Sequence, residues 1–107
     1  MTEWQSGNVF IRANKLRKNG DVTEGHKHNF DHTAILFKGS FKIIAHLPNG
    51  SEIVREASAP AHFLIRAEVH HTIIALEDNT EYWCVYSHRT PQGEIVQDHD
   101  GWNECYV

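Results

Sequence analysis

The feature that most limits the fold of this chain is a succession of short apolar runs separated by turn residues. Most of the runs are rich in Ile, Val, Thr and aromatic side chains, which fit a pleated surface. They are VFIRANKLR, HTAILFK, FKIIAHL, SEIVREA, HFLIRAE, HTIIALE and EYWCVYSH. The segment Pro48-Asn49-Gly50 gives the clearest hairpin signal, because Asn-Gly accepts the positive backbone angles of a tight turn. The pattern predicts an all-β fold, either a sandwich or a barrel.

Size and composition limit the domain organisation and the partners. A chain of 107 residues, 40% hydrophobic and 22% charged, holds one domain with its own core. We expect a single domain over residues 1–107, with the barrel core over about 19–90 and a C-terminal tail over 91–107. A net charge of −4 without a Lys/Arg run predicts no nucleic-acid partner.

The cellular compartment is predicted from the lack of a secretory signal or a membrane-spanning stretch in the given sequence. The first residues, MTEWQSGN, lack the basic start and apolar run of a secretory signal. Apolar stretches stay below the length that spans a membrane, so no membrane partner is expected. Two cysteines do not form a disulfide framework, and we therefore expect a cytoplasmic protein with reduced thiols.

Three histidines occur within the segment GHKHNFDH. Side chains alternate between the faces of a strand, so His26 and His28 share a face, and His32 has the same parity if the extended conformation continues. The pair His70-His71 on a later strand offers a fourth imidazole, since only one of the two can face inward. Imidazole binds Zn, Cu, Fe, Ni and, less strongly, Mn. Because the chain contains 9 histidines, spacing alone leaves a metal site and an exposed histidine-rich loop both open.

The spacing around these histidines resembles the first signature of the cupin superfamily, G-x5-H-x-H-x3-E-x6-G. The chain has Gly20, then His26 and His28, then His32 in the position of the usual Glu, and finally Gly39. The second signature, G-x5-P-x-G-x2-H-x3-N, is kept only at its histidine. Aligned on His71, its other positions are occupied by Pro60, Arg66, Glu68 and Ala75.

The resemblance implies a cupin-type jelly-roll barrel, also called a double-stranded β-helix, with one divalent transition metal ion inside. The ion would be Fe, Mn, Ni, Zn or Cu. By the resemblance, His26, His28 and His71 are ligands and His32 replaces the carboxylate ligand. Alternatively, His32 lies back from the metal and leaves a three-histidine site with more open positions. Four neutral imidazoles would leave a divalent ion with charge +2 instead of +1, which favours an anionic small-molecule ligand.

Two classes of function agree with these residues. The first is a small metal-dependent cupin enzyme acting on a small anionic molecule, either a dioxygenase or a Lewis-acid lyase or isomerase. The second is a small-molecule-binding or sensing module whose metal is structural, and a metal-free jelly roll is the remaining alternative. Because no general base is evident, the sequence assigns no catalytic residue.

Further expectations concern side-chain orientation and assembly. Alternation predicts that His71 faces the interior and His70 does not, with an apolar pocket near Ile73 and Ala75. Arg66 and Glu68 are interpreted as an outward-facing charged pair, with a substrate-orienting role as the alternative. A homodimer is expected, because a small β domain leaves edge strands exposed. The tail aromatics Trp102 and Tyr106 are candidate dimer contacts.

Overall fold

The computed structural model describes residues 2–26, 30–87, 89 and 91–94, with only the backbone described at residues 2, 4 and 24–26. Antiparallel strands make up the secondary structure of this part of the chain. They are β1 (Thr2–Ser6), β2 (Val9–Leu16), β3 (Val22–His26), β4 (His32–Lys38), β5 (Ser40–His46), β6 (Glu52–Ser58), β7 (Ala61–Ile65), β8 (His70–Ala75) and β9 (Thr80–Ser87).

The strands form two sheets that pack face to face. One sheet has five strands in the order β1-β2-β9-β4-β7, and the other has four in the order β3-β8-β5-β6. Several sequence neighbours, such as β3 and β4, lie in different sheets, so the chain crosses repeatedly between them. This is the jelly-roll arrangement, and the all-β prediction is confirmed. In the described residues, no helix is long and apolar enough to cross a membrane.

The core lies between the two sheets and is filled from both. The five-stranded sheet contributes Leu36 and Tyr82, and the four-stranded sheet contributes Phe41 and Ile73, all of them almost completely buried. The ring of Phe41 packs edge-on against Tyr82 at a centroid distance of 5.6 Å, which joins the sheets near the centre. Alternation along strands such as β4 and β8 sends every second side chain into this layer.

Two glycine-containing turns shape the sheet connections. In the β5–β6 hairpin, Gly50 has a φ of +86°, and its N–H donates to the carbonyl of Leu47 at 3.0 Å, as the sequence predicts. In the β4–β5 turn, Gly39 has a φ of +84° and lies directly against Thr80. The last glycine of the cupin-like signature is therefore required both by backbone conformation and by close packing.

The strands differ from the sequence prediction at a few places. β1 is an additional strand, and β3, which contains His26, already begins at Val22; their sequences TEWQS and VTEGH carry few apolar side chains. Their extended conformation is stabilised by pairing with β2 and β8 instead of by a buried face of their own. The run HFLIRAE stops being a strand after Ile65. The expected tail is described only from residue 91 to residue 94, so the suggested contacts of Trp102 and Tyr106 lie outside the described residues.

Candidate metal centre

The adjacent histidines of β8 take opposite faces of the four-stranded sheet. The side chain of His71 is buried, with 5% exposed, whereas His70 is exposed. Ile73 and Ala75 are buried on the same face as His71, in agreement with strand alternation. The outward His70 instead packs its ring 5.1 Å from that of His46 on β5. The predicted inward orientation of His71 is confirmed.

The ring of His71 is oriented by the backbone. Its Nδ1 atom lies 3.1 Å from the carbonyl oxygen of Val69, two residues earlier. A carbonyl can only accept, so Nδ1 carries a proton, and in the neutral ring Nε2 has the lone pair. Metal-binding histidines commonly donate their second ring N–H in this way, which fixes the tautomer and the direction of the ring. His71 is therefore prepared to act as a ligand through Nε2.

His32 approaches His71 from the opposite sheet. It is the first residue of β4 in the five-stranded sheet, is paired with Ile65 and is 4% exposed. The condition under which His32 would share the parity of His26, one continuous extended strand, is not met. His26 belongs to β3 in the four-stranded sheet, and His32 belongs to β4 in the five-stranded sheet. The two sheets, rather than alternation along one strand, bring the buried imidazoles of His32 and His71 together.

The spacing of these two rings fits a shared metal ion. The ring centroids of His32 and His71 are 5.5 Å apart, at an interplanar angle of 49°. With metal–nitrogen bonds of about 2.0–2.1 Å, two imidazoles on one ion have centroids roughly 4.6–5.6 Å apart for bond angles of about 90–120°. The observed separation falls inside this interval. The donor chemistry of the pair also suits the transition metals that imidazole binds.

The described residues include the other two candidate ligands, His26 and His28, only in part. His26 is paired with His71 in the register of β3 and β8, but only its backbone is described. His28 lies outside the described residues. Among the described side chains, no group of three or more His, Cys, Asp or Glu residues is arranged to hold a metal ion. The complete ligand set of His26, His28, His32 and His71 therefore stays a prediction.

A cavity of about 330 Å³ adjoins His71 where the edge strands β6 and β7 of the two sheets lie next to each other. We call it the sheet-edge pocket. Its wall is mainly apolar, and the polar side chains that border it are those of His71, Arg55 and Arg66. Ile73 and Ala75, beside which the sequence predicts a pocket, are buried in the core and do not line this one, so that pocket stays a prediction. Leu47, in the connection between β5 and β6, also lines the sheet-edge pocket.

The sequence interpretation of Arg66 and Glu68 is revised by this pocket. Arg66 is exposed, as a surface charge should be, but it lines the pocket instead of facing only solvent. Glu68 has a φ of +64° at the place where the second cupin signature has glycine. Residue 68 therefore keeps the left-handed backbone conformation although it is Glu and not glycine, which adopts that conformation most easily. No sequence motif points to Arg55, although its alternation with Ile53 and Ala57 puts it on an otherwise apolar face.

The buried tyrosines and Cys84 are not set up as reactive groups. Burial raises the pKa of Tyr82, and its hydroxyl donates to Oγ1 of Thr23 at 2.8 Å. Burial likewise raises the pKa of Tyr86, whose ring packs 4.4 Å from that of Phe30. Burial raises the pKa of the Cys84 thiol to about 11, so the thiol stays protonated near neutral pH. These groups are structural rather than nucleophilic.

Comparison with known proteins agrees with this geometry. No protein-family model and no curated protein matches the chain. Among solved structures, an S161A variant of Bacillus subtilis oxalate decarboxylase OxdC is similar over 76% of this chain, with a TM-score of 0.67 and 22% identity. KdgF from Halomonas sp. is similar over 79% of this chain and 73% of its own length, with a TM-score of 0.63 and 21% identity.

A cupin superfamily protein from Desulfitobacterium hafniense is also similar, with a TM-score of 0.66 and 14% identity over 81% of this chain and 73% of that one. The chain spans only 21% of the oxalate decarboxylase, so it corresponds to a fraction of that protein. At these identities the likeness concerns the fold. The protein has the cupin fold, and the buried histidines lie inside its barrel.

Proposed function

We propose that this protein holds one divalent transition metal ion through His26, His28, His32 and His71 and uses it on a small anionic molecule. The observation that carries the proposal is the meeting of two buried imidazoles from different sheets, 5.5 Å apart, beside a pocket that holds two arginines. The register of His26 opposite His71 supports its inclusion, and the signature spacing supports His28.

The ion would supply Lewis-acid chemistry, or electron transfer if it is redox-active. The chain's own residues would bind and orient the ligand: His71 is held by Val69, and Arg55 and Arg66 provide positive charge at the pocket. A pocket that reaches a ligand histidine supports an accessible ion over a closed structural site. We therefore favour an enzyme of the dioxygenase, lyase or isomerase type over a binding or sensing module.

The class of ligand is supported by the compared structures. Several of them are oxalate decarboxylases, named for a carboxylate substrate, and one of these was solved as a formate complex. Small carboxylates are also the ligands expected for a pocket with two guanidinium groups. The reaction itself is not transferred, because the chain covers only a fraction of those proteins.

The test is metal analysis of purified, untagged protein by plasma mass spectrometry. We expect close to one equivalent of a transition metal, lost in His71→Ala and His28→Ala. The control is His70→Ala, which removes the adjacent but outward-facing imidazole and should keep the metal. A second control is His46→Ala, because His46 lies on the same outer face as His70. Equal metal content in all four variants would refute the site.

We also propose that the protein is a homodimer formed through the outer face of its five-stranded sheet. Large apolar side chains are exposed there, including Phe37 at 50% and Val9 at 43%, and Phe37 packs against Trp83 at 4.6 Å. Phe37→Glu should give a monomer in light scattering. The control, Val54→Glu, carries the same charge on the four-stranded sheet and should stay dimeric. A monomeric native protein would contradict this.

A cytoplasmic location is the remaining part of the proposal. Cys84 carries a free thiol, the state expected in a reducing compartment. Fractionation of the native cells should recover the protein with cytoplasmic markers. Recovery in a secreted or membrane fraction would contradict this location.

A further inference from the structure

Two arginines reach the sheet-edge pocket from the two strands that border it. Arg55 lies on β6 opposite Ile43, whose side chain is buried, so Arg55 occupies a position on the inner face of the four-stranded sheet. Arg66 directly follows β7, at the edge of the five-stranded sheet. Both line the pocket together with His71. The pocket therefore receives one cation from each of the two sheets.

Both arginines keep hydrogen-bond donors that the described residues do not use. Among the described residues, no carboxylate forms an ion pair with Arg55 or Arg66. Arg55 uses Nη1 to donate to the carbonyl of Val54 at 3.0 Å, which leaves its other donors available. Guanidinium groups match carboxylates through paired, planar hydrogen bonds. In a chain of net charge −4, the pocket is a local site of positive charge.

The rest of the pocket is apolar and larger than the smallest anions need. Ile43, Ala45, Ile53, Phe63, Ile65 and Val69 contribute to its wall. Its volume of about 330 Å³ is at the lower end of the range for small-molecule sites, roughly 300–1,000 Å³. An anion as small as oxalate would leave most of this apolar wall in contact with water, which is unfavourable.

We propose that the sheet-edge pocket selects carboxylates that carry an apolar body, such as an aryl or branched alkyl group. Arg55 and Arg66 bind the carboxylate, and the wall around Phe63 binds the apolar part. This inference specifies the substrate class of the proposed function. It rests on the proposed function for the role of His71 as a metal ligand beside the pocket. Arg66, which replaces the signature's proline, is then a specificity-determining residue of this chain.

The experiment is isothermal titration calorimetry with three probes, on protein as purified and after treatment with EDTA. Phenylpyruvate has both a carboxylate and an apolar ring, phenylacetone lacks the carboxylate, and oxalate lacks the ring. We expect phenylpyruvate to bind most tightly. Arg66→Gln and Arg55→Gln should each weaken phenylpyruvate about tenfold to hundredfold, the loss expected for one charged hydrogen-bonding partner, and leave phenylacetone unchanged.

Two further variants separate specific from general effects. Arg17→Gln makes the same change of net charge at an exposed arginine outside the pocket and should bind phenylpyruvate as the native protein does. Ile53→Trp, at an exposed edge-strand position that lines the pocket, should exclude phenylpyruvate by filling the space without altering the core. Both variants keep His71 and both arginines of the pocket in place.

The inference is overturned if oxalate binds at least as tightly as phenylpyruvate, or if Arg66→Gln behaves like Arg17→Gln. Metal analysis of the same samples keeps the two proposals apart. If the protein as purified contains no metal but binds phenylpyruvate in an arginine-dependent way, the proposed function is refuted and this inference stands. Metal-loaded protein with no preference for the apolar carboxylate would refute this inference alone.

Discussion

Replacing Gly39 by alanine tests whether the turn between β4 and β5 is as tightly constrained as its geometry indicates. An alanine at a φ of +84° costs about 1–2 kcal/mol in backbone strain. Its Cβ would also lie 2.8 Å from the Cα of Thr80, closer than real Cβ contacts, and forcing that backbone apart costs about 1–3 kcal/mol. The hydroxyl of Thr80 cannot move freely, because it donates hydrogen bonds to the carbonyl oxygens of Ser40 and of Glu77 in the β8–β9 connection.

We therefore expect Gly39→Ala to lower the free energy of unfolding by about 2–5 kcal/mol. For a domain of this size, that lowers the melting temperature by at least roughly 8 °C. The matched control is Gly50→Ala, which has nearly the same φ of +86° but nothing within 4 Å of the added Cβ. It should lose only the backbone part, about 1–2 kcal/mol.

Urea titration of both variants, followed by tryptophan fluorescence, measures the difference. The reasoning is refuted if Gly39→Ala is no less stable than Gly50→Ala, because the contact with Thr80 would then have no energetic effect. A change in the denaturant slope would instead indicate an altered unfolded or native state, so the slope is compared first.

Two further predictions concern strain and pH. Glu68→Gly should raise the free energy of unfolding by about 0.5–1 kcal/mol in urea titration, because Glu68 holds a φ of +64° that glycine adopts without strain; a loss of stability would contradict this. The Cys84 thiol has a folded-state pKa of about 11, above its ordinary value of 9.0, so its stabilising contribution is complete below pH 9 and is lost as the pH rises toward 11. In a Cys105→Ser background, the Cys84→Ala variant should therefore lose less stability between pH 9 and pH 11 than the protein that keeps Cys84. An identical loss in both proteins would contradict the raised pKa of the Cys84 thiol.

The strands were predictable because alternation and turn chemistry are local properties. HTAILFK coincides with β4, and Asn49-Gly50 closes the hairpin between β5 and β6. β1 and the first residues of β3 were not predictable from their own sequences, since pairing with β2 and β8 stabilises them. A single sequence does not reveal which partner strand will supply those hydrogen bonds.

The candidate site was predictable in its residue types but not in its arrangement. The inward orientation of His71 follows from alternation within β8. The position of His32 does not, because the chain leaves one sheet after His26 and joins the other at His32. The same limit applies to Arg66, since whether a charge faces solvent or a pocket depends on how the edges of β6 and β7 meet.

His32 stands where the cupin signature has Glu, so replacing it by Glu tests how the charge of the proposed metal centre affects anion binding. His32→Glu restores the ligand type of the signature and would change the proposed divalent site from charge +2 to +1. The buried side chain of His32 lies across from His71, so the new carboxylate would be close to any anion bound there. Two unit charges about 5 Å apart interact by roughly 3 kcal/mol at an effective dielectric constant near 20.

We therefore expect His32→Glu to keep its metal and to bind formate about tenfold to hundredfold more weakly than the native protein, as measured by calorimetry. His70→Glu is the control, since it introduces the same charge on the outer face of β8, where solvent screens it. If His32→Glu retains metal and binds formate with native affinity, the charge at residue 32 does not act on the anion, and His32 lies back from the ion. The three-histidine alternative would then describe the site, with the anion bound on the side of the ion that faces the arginines.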